Sequence, residues 1–459
     1  MAAPPRRGWK PYGQIVPLQI ASVGPAGHGE ATYEGHRYEV ATAVPGDRVE
    51  ARIFKRHKGV RRAALERVTQ PSAERVPAPC PAFGTCGGCM WQSWDYPAQA
   101  AALERGVRDL SGLPEEVWAE VIAADNPYLY RGKIELTFGG VPGEVVLGFN
   151  ERGRFDRIVP LERCHIGPPV NAAIIERVRR WASASGHAPY DQRKHAGFLR
   201  YLVIRQASTE VGALREDDPW LAALVTSAPG GAEGLVEALA DVPNGSVLQV
   251  VSASPAGAVR VDELHVLSGP GRLDATLGGV RYALSFASFF QSNQRMAERL
   301  VAVVRARAAL TGVERVLDLF CGVGTIALAL AGDAAEVVGV EYVADAVRDA
   351  AENAARNQIT NARFEQGEAE RYEWGEVDLV ILDPPRSGLH PRLVRRLVEQ
   401  PPPRIIYVSC NPRALAQDLE TLRGIYRVTF AQCVDLFPQT PHVETVVELK
   451  AASLNVCDT

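Results

Sequence analysis

The chain has no stretch of about 18 residues that is both apolar and free of charge, which argues against a membrane-crossing helix. Its first residues, MAAPPRRGWKPYGQIVPLQI, lack the continuous apolar segment of a secretory leader, so a cytoplasmic location with no membrane partner is expected. Cysteine is sparse: eight in 459 residues are too few for a disulfide-built secreted scaffold, and in a reducing compartment a close group of them points to metal binding or catalysis. No charge of one sign dominates, the formal net charge being -4, so no global basic field announces a nucleic-acid partner. Repeats and low-complexity tracts are absent as well. What remains is the composition of an ordinary folded protein, 46% hydrophobic and 23% charged, in a chain long enough for roughly three domains.

The charge that is present is unevenly placed. RIFKRHKGVRR, residues 52–62, holds Arg52, Lys55, Arg56, Lys58, Arg61 and Arg62 with no acid between them. Such a segment suits either a charged edge strand that resists sheet association or a set of phosphate contacts. Around it, QIVPLQIASV, GPAGHGEATYEG, YEVATAV and RVEARIF read as short strands separated by turns, the pattern of a small barrel over residues 1–70. Proline-rich PSAERVPAPCP then marks a linker. A dense group of cysteines and a helical stretch from about Tyr96 to Asp109 follow. RGKIELTF, GEVVLGFN, LRYLVIRQAS, SVLQVVSAS and AVRVDELHVL predict a mostly antiparallel central domain, residues 71–275, with one inserted helix, NAAIIERVRRWAS.

From about residue 276 to the end, strands alternate with helices: ERVLDLF, EVVGVEY, ARFEQG, VDLVILD and RIIYVSC lie between helical segments. Alternation of this kind predicts a doubly wound, Rossmann-like parallel sheet, whose ligands gather at the carboxyl ends of the strands. Three of those ends carry Cys321, Asp383 and Cys410. In DLFCGVGT, Gly322 and Gly324 let backbone amides approach a ligand at a helix amino terminus, and Ala327 stands where a third glycine would complete G-x-G-x-x-G. Glu341 ends the next strand, where an acid can accept hydrogen bonds from ribose hydroxyls. By itself this pattern fits a nicotinamide dinucleotide as well as another adenosine cofactor.

DPPRSGLHP, from Asp383, places two prolines directly after a strand and so fixes a rigid turn at the mouth of the sheet. It resembles the S-adenosylmethionine methyltransferases that act on nucleic-acid bases. Arg386 stands where the amino-methylating group of those enzymes carries a base-stacking aromatic, a departure from that group. Together FFQSNQ (Phe289 to Gln294), DLFCGVGT, DPPRSGLHP, YVSCNPRALAQDL and PHVETVVEL resemble, in order and spacing, the RNA uracil-5-methyltransferases that modify ribosomal and transfer RNA.

The resemblance implies Cys410 as a nucleophile and Glu444 as a base, with Gln291, Phe320, Glu341, Asp383 and Glu368 binding S-adenosylmethionine. A lone cysteine or glutamate in a strand would be read as structural, and Cys321 keeps that reading. Phe289 is read as core, the usual place of an aromatic, although it could stack on a base. Ribosomal-RNA members of the family carry an amino-terminal TRAM barrel and an iron-sulfur cluster. Cys80, Cys86 and Cys89, with gaps of five and two residues, and Cys164 match that form and imply a [4Fe-4S] cluster, while four thiolates alone would suit zinc too. The three-cysteine spacing of radical enzymes is missing, so the cluster is expected to be structural or RNA-contacting. The expected whole is a monomeric multidomain α/β protein, with a helical stretch near 96–120 packed on a catalytic domain of residues 276–459. It is expected to methylate structured RNA, 23S ribosomal RNA first. Transfer RNA is the alternative substrate; methylation of an exocyclic amino group and a noncatalytic RNA-binding role are further ones.

Overall fold

The computed structural model describes residues 13–452 except 211, 256 and 258. The first twelve residues of the expected barrel domain and the first residue of AVRVDELHVL therefore lie outside the described residues. Six strands come first: β1 (Ile15–Gln19), β2 (Ser22–Val23), β3 (Gly29–Tyr33), β4 (His36–Val40), β5 (Arg48–His57) and β6 (Val60–Gln70). Their order is β1-β5-β6-β4-β3-β2. Because β1 and β2 are separated by only two residues, one bent segment pairs with β5 through its first half and with β3 through its second, and the sheet returns on itself. Strand alternation explains the interior. Val16 and Leu18 of β1 point inward beside Tyr38, Val40, Val49 and Ala51, whereas Ile15, Pro17 and Gln19 face out.

The proline-rich segment after β6 is tied down. Buried Asp47 accepts hydrogen bonds from the Val44 and Ser72 amides at 2.8 and 2.9 Å and pairs with Arg75 at 2.6 Å. Helix α1 (Tyr96–Ser111) begins with Pro97 in its first turn and ends at Gly112, whose φ of 57° provides the left-handed cap. Its apolar residues Leu103 and Val107 pack with Trp91, Trp94, Cys433 and Val443, so this helix leans on the last third of the chain.

Seven strands build the central sheet: β7 (Lys133–Val141), β8 (Glu144–Asn150), β9 (Ile158–Pro160), β10 (Leu199–Gln206), β11 (Trp220–Thr226), β12 (Gly245–Val251) and β13 (Glu263–Ser268). Only the β11–β12 pair is parallel. Helices α2 (Asn171–Ala184) and α3 (Leu235–Leu239) cover one face. The other face packs on the hairpin β14 (Leu273–Leu277) with β15 (Val280–Leu284), and on Ala297, Val301, Leu328 and Ala354 of the helices beyond it.

The last third contains α4 (Gln294–Ala308), β16 (Arg315–Leu319), α5 (Thr325–Ala331), β17 (Glu336–Glu341), α6 (Ala344–Arg356), β18 (Ala362–Gln366), β19 (Leu379–Leu382), α7 (Pro391–Glu399), β20 (Arg404–Ser409), α8 (Pro412–Leu422), β21 (Tyr426–Val434) and β22 (Glu444–Ala451). Its sheet runs β18-β17-β16-β19-β20-β22-β21, parallel as far as β20 and antiparallel from there on. The chain turns outward from β16 to β18 and then resumes at β19, which makes the β16/β19 boundary a topological switch point, the place where such sheets bind ligands. Among the described residues no helix is long and apolar enough to cross a membrane.

Candidate active site

Past the end of β16 the backbone takes up conformations that few residues tolerate. Phe320 has φ of 70°, and Gly322 and Gly324 have φ of 55° and 82°. The strained turn is held by the Phe320 and Cys321 amides donating to the Val340 carbonyl at 3.0 and 3.1 Å. Glu341, at the end of β17, accepts from the Gly322 amide at 3.2 Å and from the Val343 amide at 2.8 Å. A Cβ built on Gly322 would meet no protein atom within 4 Å, because the space beside it is the cleft. Gly339 is needed for another reason: a Cβ there would stand 2.5 Å from the Phe364 ring.

Two further loops close around the same point. Asn411 caps α8 by accepting from the Arg413 amide at 3.2 Å and donates to the Arg386 carbonyl at 2.7 Å, which ties the SCNP turn to the DPPR turn. Pro412 takes the first turn of α8, where its missing N–H costs nothing. Cys410 thus sits between strand and helix, half-buried and aimed into a cleft of about 1490 Å³. Gln291, Phe320, Glu341, Asp383 and Glu444 line the same cleft. Glu368 does not; it lines an adjoining recess of about 310 Å³ that shares Phe320 and Glu341, and its carboxylate pairs with Arg371 at 2.8 Å.

The site is crowded with acids, and its electrostatics follow from that. Burial, then the Asp383 charge, raises Glu444 from 4.5 to about 8, with Arg386 acting against the shift. Burial likewise lifts Asp383 to about 7. Asp318, fully buried beneath the glycine turn, is pushed well up by burial and by Asp383. A helix amino terminus and a nearby arginine would ordinarily favour a thiolate. Here burial and the carboxylates of Glu444 and Asp383 win, and the Cys410 thiol is held up at about 11 despite Arg386. A cation placed among these acids would lower it again. Oε2 of Glu444 accepts no hydrogen bond from the described residues.

Glu444 is delivered by the 435–443 loop, which other parts of the chain hold through its backbone. The Asn293 side chain donates to the Leu436 carbonyl at 3.0 Å and the Tyr130 hydroxyl to the Pro438 carbonyl at 2.9 Å. The Gln439 carbonyl accepts from the Met90 and Trp91 amides at 2.9 and 3.2 Å, while its side chain accepts from Gln99 at 3.1 Å. The Tyr96 hydroxyl donates to buried Asp435 at 2.9 Å. FFQSNQ is therefore divided in function: Gln291 faces the cleft, Asn293 holds the loop, and Gln294 bonds the Ser208 backbone within the core. Phe289 departs from its expected core position. It is 71% exposed at the cleft rim, and Phe290 is the ring that packs inward, against Tyr282. Sequence reasoning passed over two other groups. Arg386 drew notice only as a departure from another family, and His442, which accepts from it at 2.9 Å, lay unremarked inside a quoted motif.

The expected four-cysteine metal site is not assembled as a cage: among the described residues no three His, Cys, Asp or Glu side chains come close enough to hold a metal. Cys80, Cys86 and Cys89 ride a half-exposed turn packed on Asn150 and Arg152, whereas Cys164 is buried and pinned by Asn171, so the thiols span surface to core. They are nonetheless neighbours. Burial first, then the charges of Cys164, Cys86 and Cys80, lifts the Cys89 thiol to about 12, and the Gly88 amide donates to the Cys86 sulfur at 3.4 Å.

A methyltransferase-domain family model matches residues 311–434, which span the glycine turn, Asp383 and Cys410 and stop short of Glu444. An uncharacterized RNA methyltransferase of Halalkalibacterium halodurans is 33% identical over 453 residues, 95% of this chain and 97% of the relative. One from Thermosynechococcus vestitus is 34% identical over 453 residues, with 95% and 98% covered. Among solved structures, the Pyrococcus abyssi tRNA (uracil-54, C5)-methyltransferase in complex with S-adenosyl-L-homocysteine superposes with a TM-score of 0.79 at 27% identity, over 95% of this chain and all of that one.

Proposed function

The chain belongs to the S-adenosylmethionine-dependent RNA methyltransferases, and we propose that it methylates carbon 5 of a uridine in structured RNA through a covalent adduct of Cys410. One observation carries this reading: a cysteine thiol and a buried carboxyl with an unbonded oxygen, Cys410 and Glu444, face one cleft with the glycine turn. Carbon 5 of uracil is too weakly nucleophilic to take a methyl group unaided. Addition of the Cys410 thiolate to carbon 6 moves the ring electrons into an enolate, and its carbon 5 can attack the methyl. When bound, S-adenosylmethionine would supply that methyl, its sulfonium sulfur keeping the electron pair of the broken bond as a thioether, and a positive charge among the acids. Gln291, Phe320, Gly322, Glu341 and Asp383 would hold it, with Glu368 in the recess beside them. Glu444 then accepts the carbon 5 proton, the electrons of that bond form the 5,6 double bond, and the sulfur leaves as thiolate. Arg386, beside both groups, offsets their negative charge, and exposed Phe289 stacks on a base taken out of its helix.

The substrate proposed first is 23S ribosomal RNA, from the resemblance of the amino-terminal strands to a TRAM barrel and of the cysteine spacing to the ribosomal enzymes. The Pyrococcus abyssi neighbour favours a second substrate, transfer RNA. Incubation of both RNAs with methyl-labelled cofactor, followed by nucleoside analysis, tests the reading. Labelled 5-methyluridine is expected, and label on an exocyclic nitrogen would refute it.

Two further outcomes are expected. Lys55 and Arg56, exposed on β5, and Lys58 after it supply phosphate affinity. Alanine at all three should weaken RNA binding and reduce the slope of log affinity against log salt by roughly 2 to 3, as titration at several salt concentrations would read; an unchanged slope would remove this segment from the interface. Cys80, Cys86, Cys89 and Cys164 are proposed to hold a [4Fe-4S] cluster, a reading supported by their spacing and its resemblance to the ribosomal enzymes. Protein purified without oxygen should be brown and carry about four irons. Colourless protein with stoichiometric zinc would overturn the cluster.

A further inference from the structure

A second large opening lies beside the first. It encloses about 1170 Å³ between the amino-terminal sheet, the cysteine turn and the 152–154 loop, and takes no part in the chemistry above. Phe54 and Lys55 come from β5, Arg62 from β6, Phe83 from the cysteine turn, and Arg152 and Arg154 from the loop after β8. Among the described residues no acidic side chain lines it. The volume exceeds that of a typical small-molecule pocket, and cations interleaved with two aromatics suit a chain of phosphates and bases better than a single compact ligand.

Some of these cations already have partners. Arg62 pairs with Glu39 and Arg154 with Asp156, both at 2.9 Å. Five N–H donors on each guanidinium leave some for a phosphate while the carboxylate fixes its direction. Arg152 donates to the Cys86 carbonyl at 3.1 Å and so stands where the groove meets the cysteine turn.

Groove and catalytic cleft adjoin at one crossing, where Arg152 of the groove donates to the sulfur of Met90, which lines the cleft. Ala26, Gly87, Gly88 and Met90 line the cleft, and His28, Gly84 and Arg152 line the groove on the other side. Gly87 and Gly88 are exposed and bring no side chain to the crossing. Gly27 beneath it has φ of 78°, and a Cβ there would stand 2.9 Å from Pro441, a residue of the cleft wall. Bare backbone at such a point allows close approach by a ligand strand.

We infer that unpaired RNA flanking the target uridine leaves the catalytic cleft over Gly87 and Gly88 and lies in this groove, a base stacked on Phe54 or Phe83 and phosphates on Lys55, Arg62, Arg152 and Arg154. The inference rests on the RNA reading above and extends it to the path of the substrate.

The test compares a short RNA confined to the target loop with the same RNA extended by unpaired nucleotides on both sides. For the unaltered protein, KM for the extended RNA is expected to be about tenfold lower, the size of one good stacking contact. Phe83→Ala should raise that KM about tenfold, leaving kcat and the short RNA unaffected; Phe54→Ala, on a different element, repeats the test should the first variant fold poorly. 4-Thiouridine in the extension should cross-link to peptides containing Phe54 or Phe83. Equal KM values for the two RNAs, or variants that shift both alike, would overturn the path. Should neither RNA be methylated, the uridine reading fails alone and the cross-link still decides the groove: a cross-link to those peptides supports it, and its absence overturns it.

Discussion

Alanine in place of Cys410 is expected to abolish methyl transfer while leaving S-adenosylmethionine bound. Cys410 is the thiol assigned to add to carbon 6, since the Cys321 thiol of the same cleft is buried and pushed well up by burial and by Asp318, and removing a covalent nucleophile typically costs on the order of 10⁴-fold or more in rate. Cofactor affinity should be almost unaffected, since the residues assigned to the cofactor lie at or past the β16, β17, β18 and β19 ends and in FFQSNQ, whereas Cys410 follows β20. Isothermal titration with S-adenosylmethionine and a radiolabel transfer assay, run on one preparation, separate the two effects. Loss of both would mean that Cys410 supports the fold of the cleft. Retained transfer would place the chemistry elsewhere, as on an exocyclic amino group.

The second large effect concerns Glu444. Replacement by glutamine keeps the size of the side chain and removes its capacity to accept the carbon 5 proton, so the methylated intermediate should form and then stall. Turnover is expected to fall by roughly 10²- to 10⁴-fold, the usual contribution of a positioned base. A protein–RNA adduct that survives denaturation should accumulate in its place, seen as a shifted band that carries the transferred methyl. The pH dependence follows from the raised affinity of Glu444 for its proton. Burial holds Glu444 up at about 8 in the protein alone and the positive charge of bound cofactor draws it down from there, so the turnover of the unaltered protein should climb as pH rises toward about 8. Stability should move the other way. A carboxyl whose folded value lies above its ordinary 4.5 stabilises the fold fully below that value and loses the contribution as pH rises through about 8. Glu444→Gln should therefore melt higher than the unaltered protein at pH 9 and show little difference at pH 5.

Much of the parallel part of the sheet was readable because β16, β19 and β20 are short buried runs followed by glycine or proline turns, and those turns carry several of the residues proposed for the site. Other features had no such signature. WLAALVT, which became β11, is buried at every position and shows no alternation, so nothing set it apart from a buried helix segment. Phe289 and Phe290 are adjacent and chemically alike, and only the entry into α4 decides that one faces the cleft and the other the core. The loop that presents Glu444 is held through the carbonyls of Leu436, Pro438 and Gln439, which every residue type possesses. Glu444 itself was reached through a family motif; no local pattern shows that an acid at the start of β22 lies buried against Asp383 and within reach of Cys410. The cysteines show the opposite limit. Their spacing is legible, yet the described structure does not draw them into a ligand cage.

The central claim is a carbon–sulfur bond between Cys410 and carbon 6 of a uracil ring. Substrate RNA carrying 5-fluorouridine at the target has no removable proton on carbon 5, so the methylated adduct cannot break down by elimination. Mass spectrometry of the protease- and nuclease-digested complex should find a single peptide, the one containing Cys410, bearing a methylated fluorouridine nucleotide. Methylation of unsubstituted RNA by a protein with alanine at position 410, or an adduct mapped to any other residue, would contradict it.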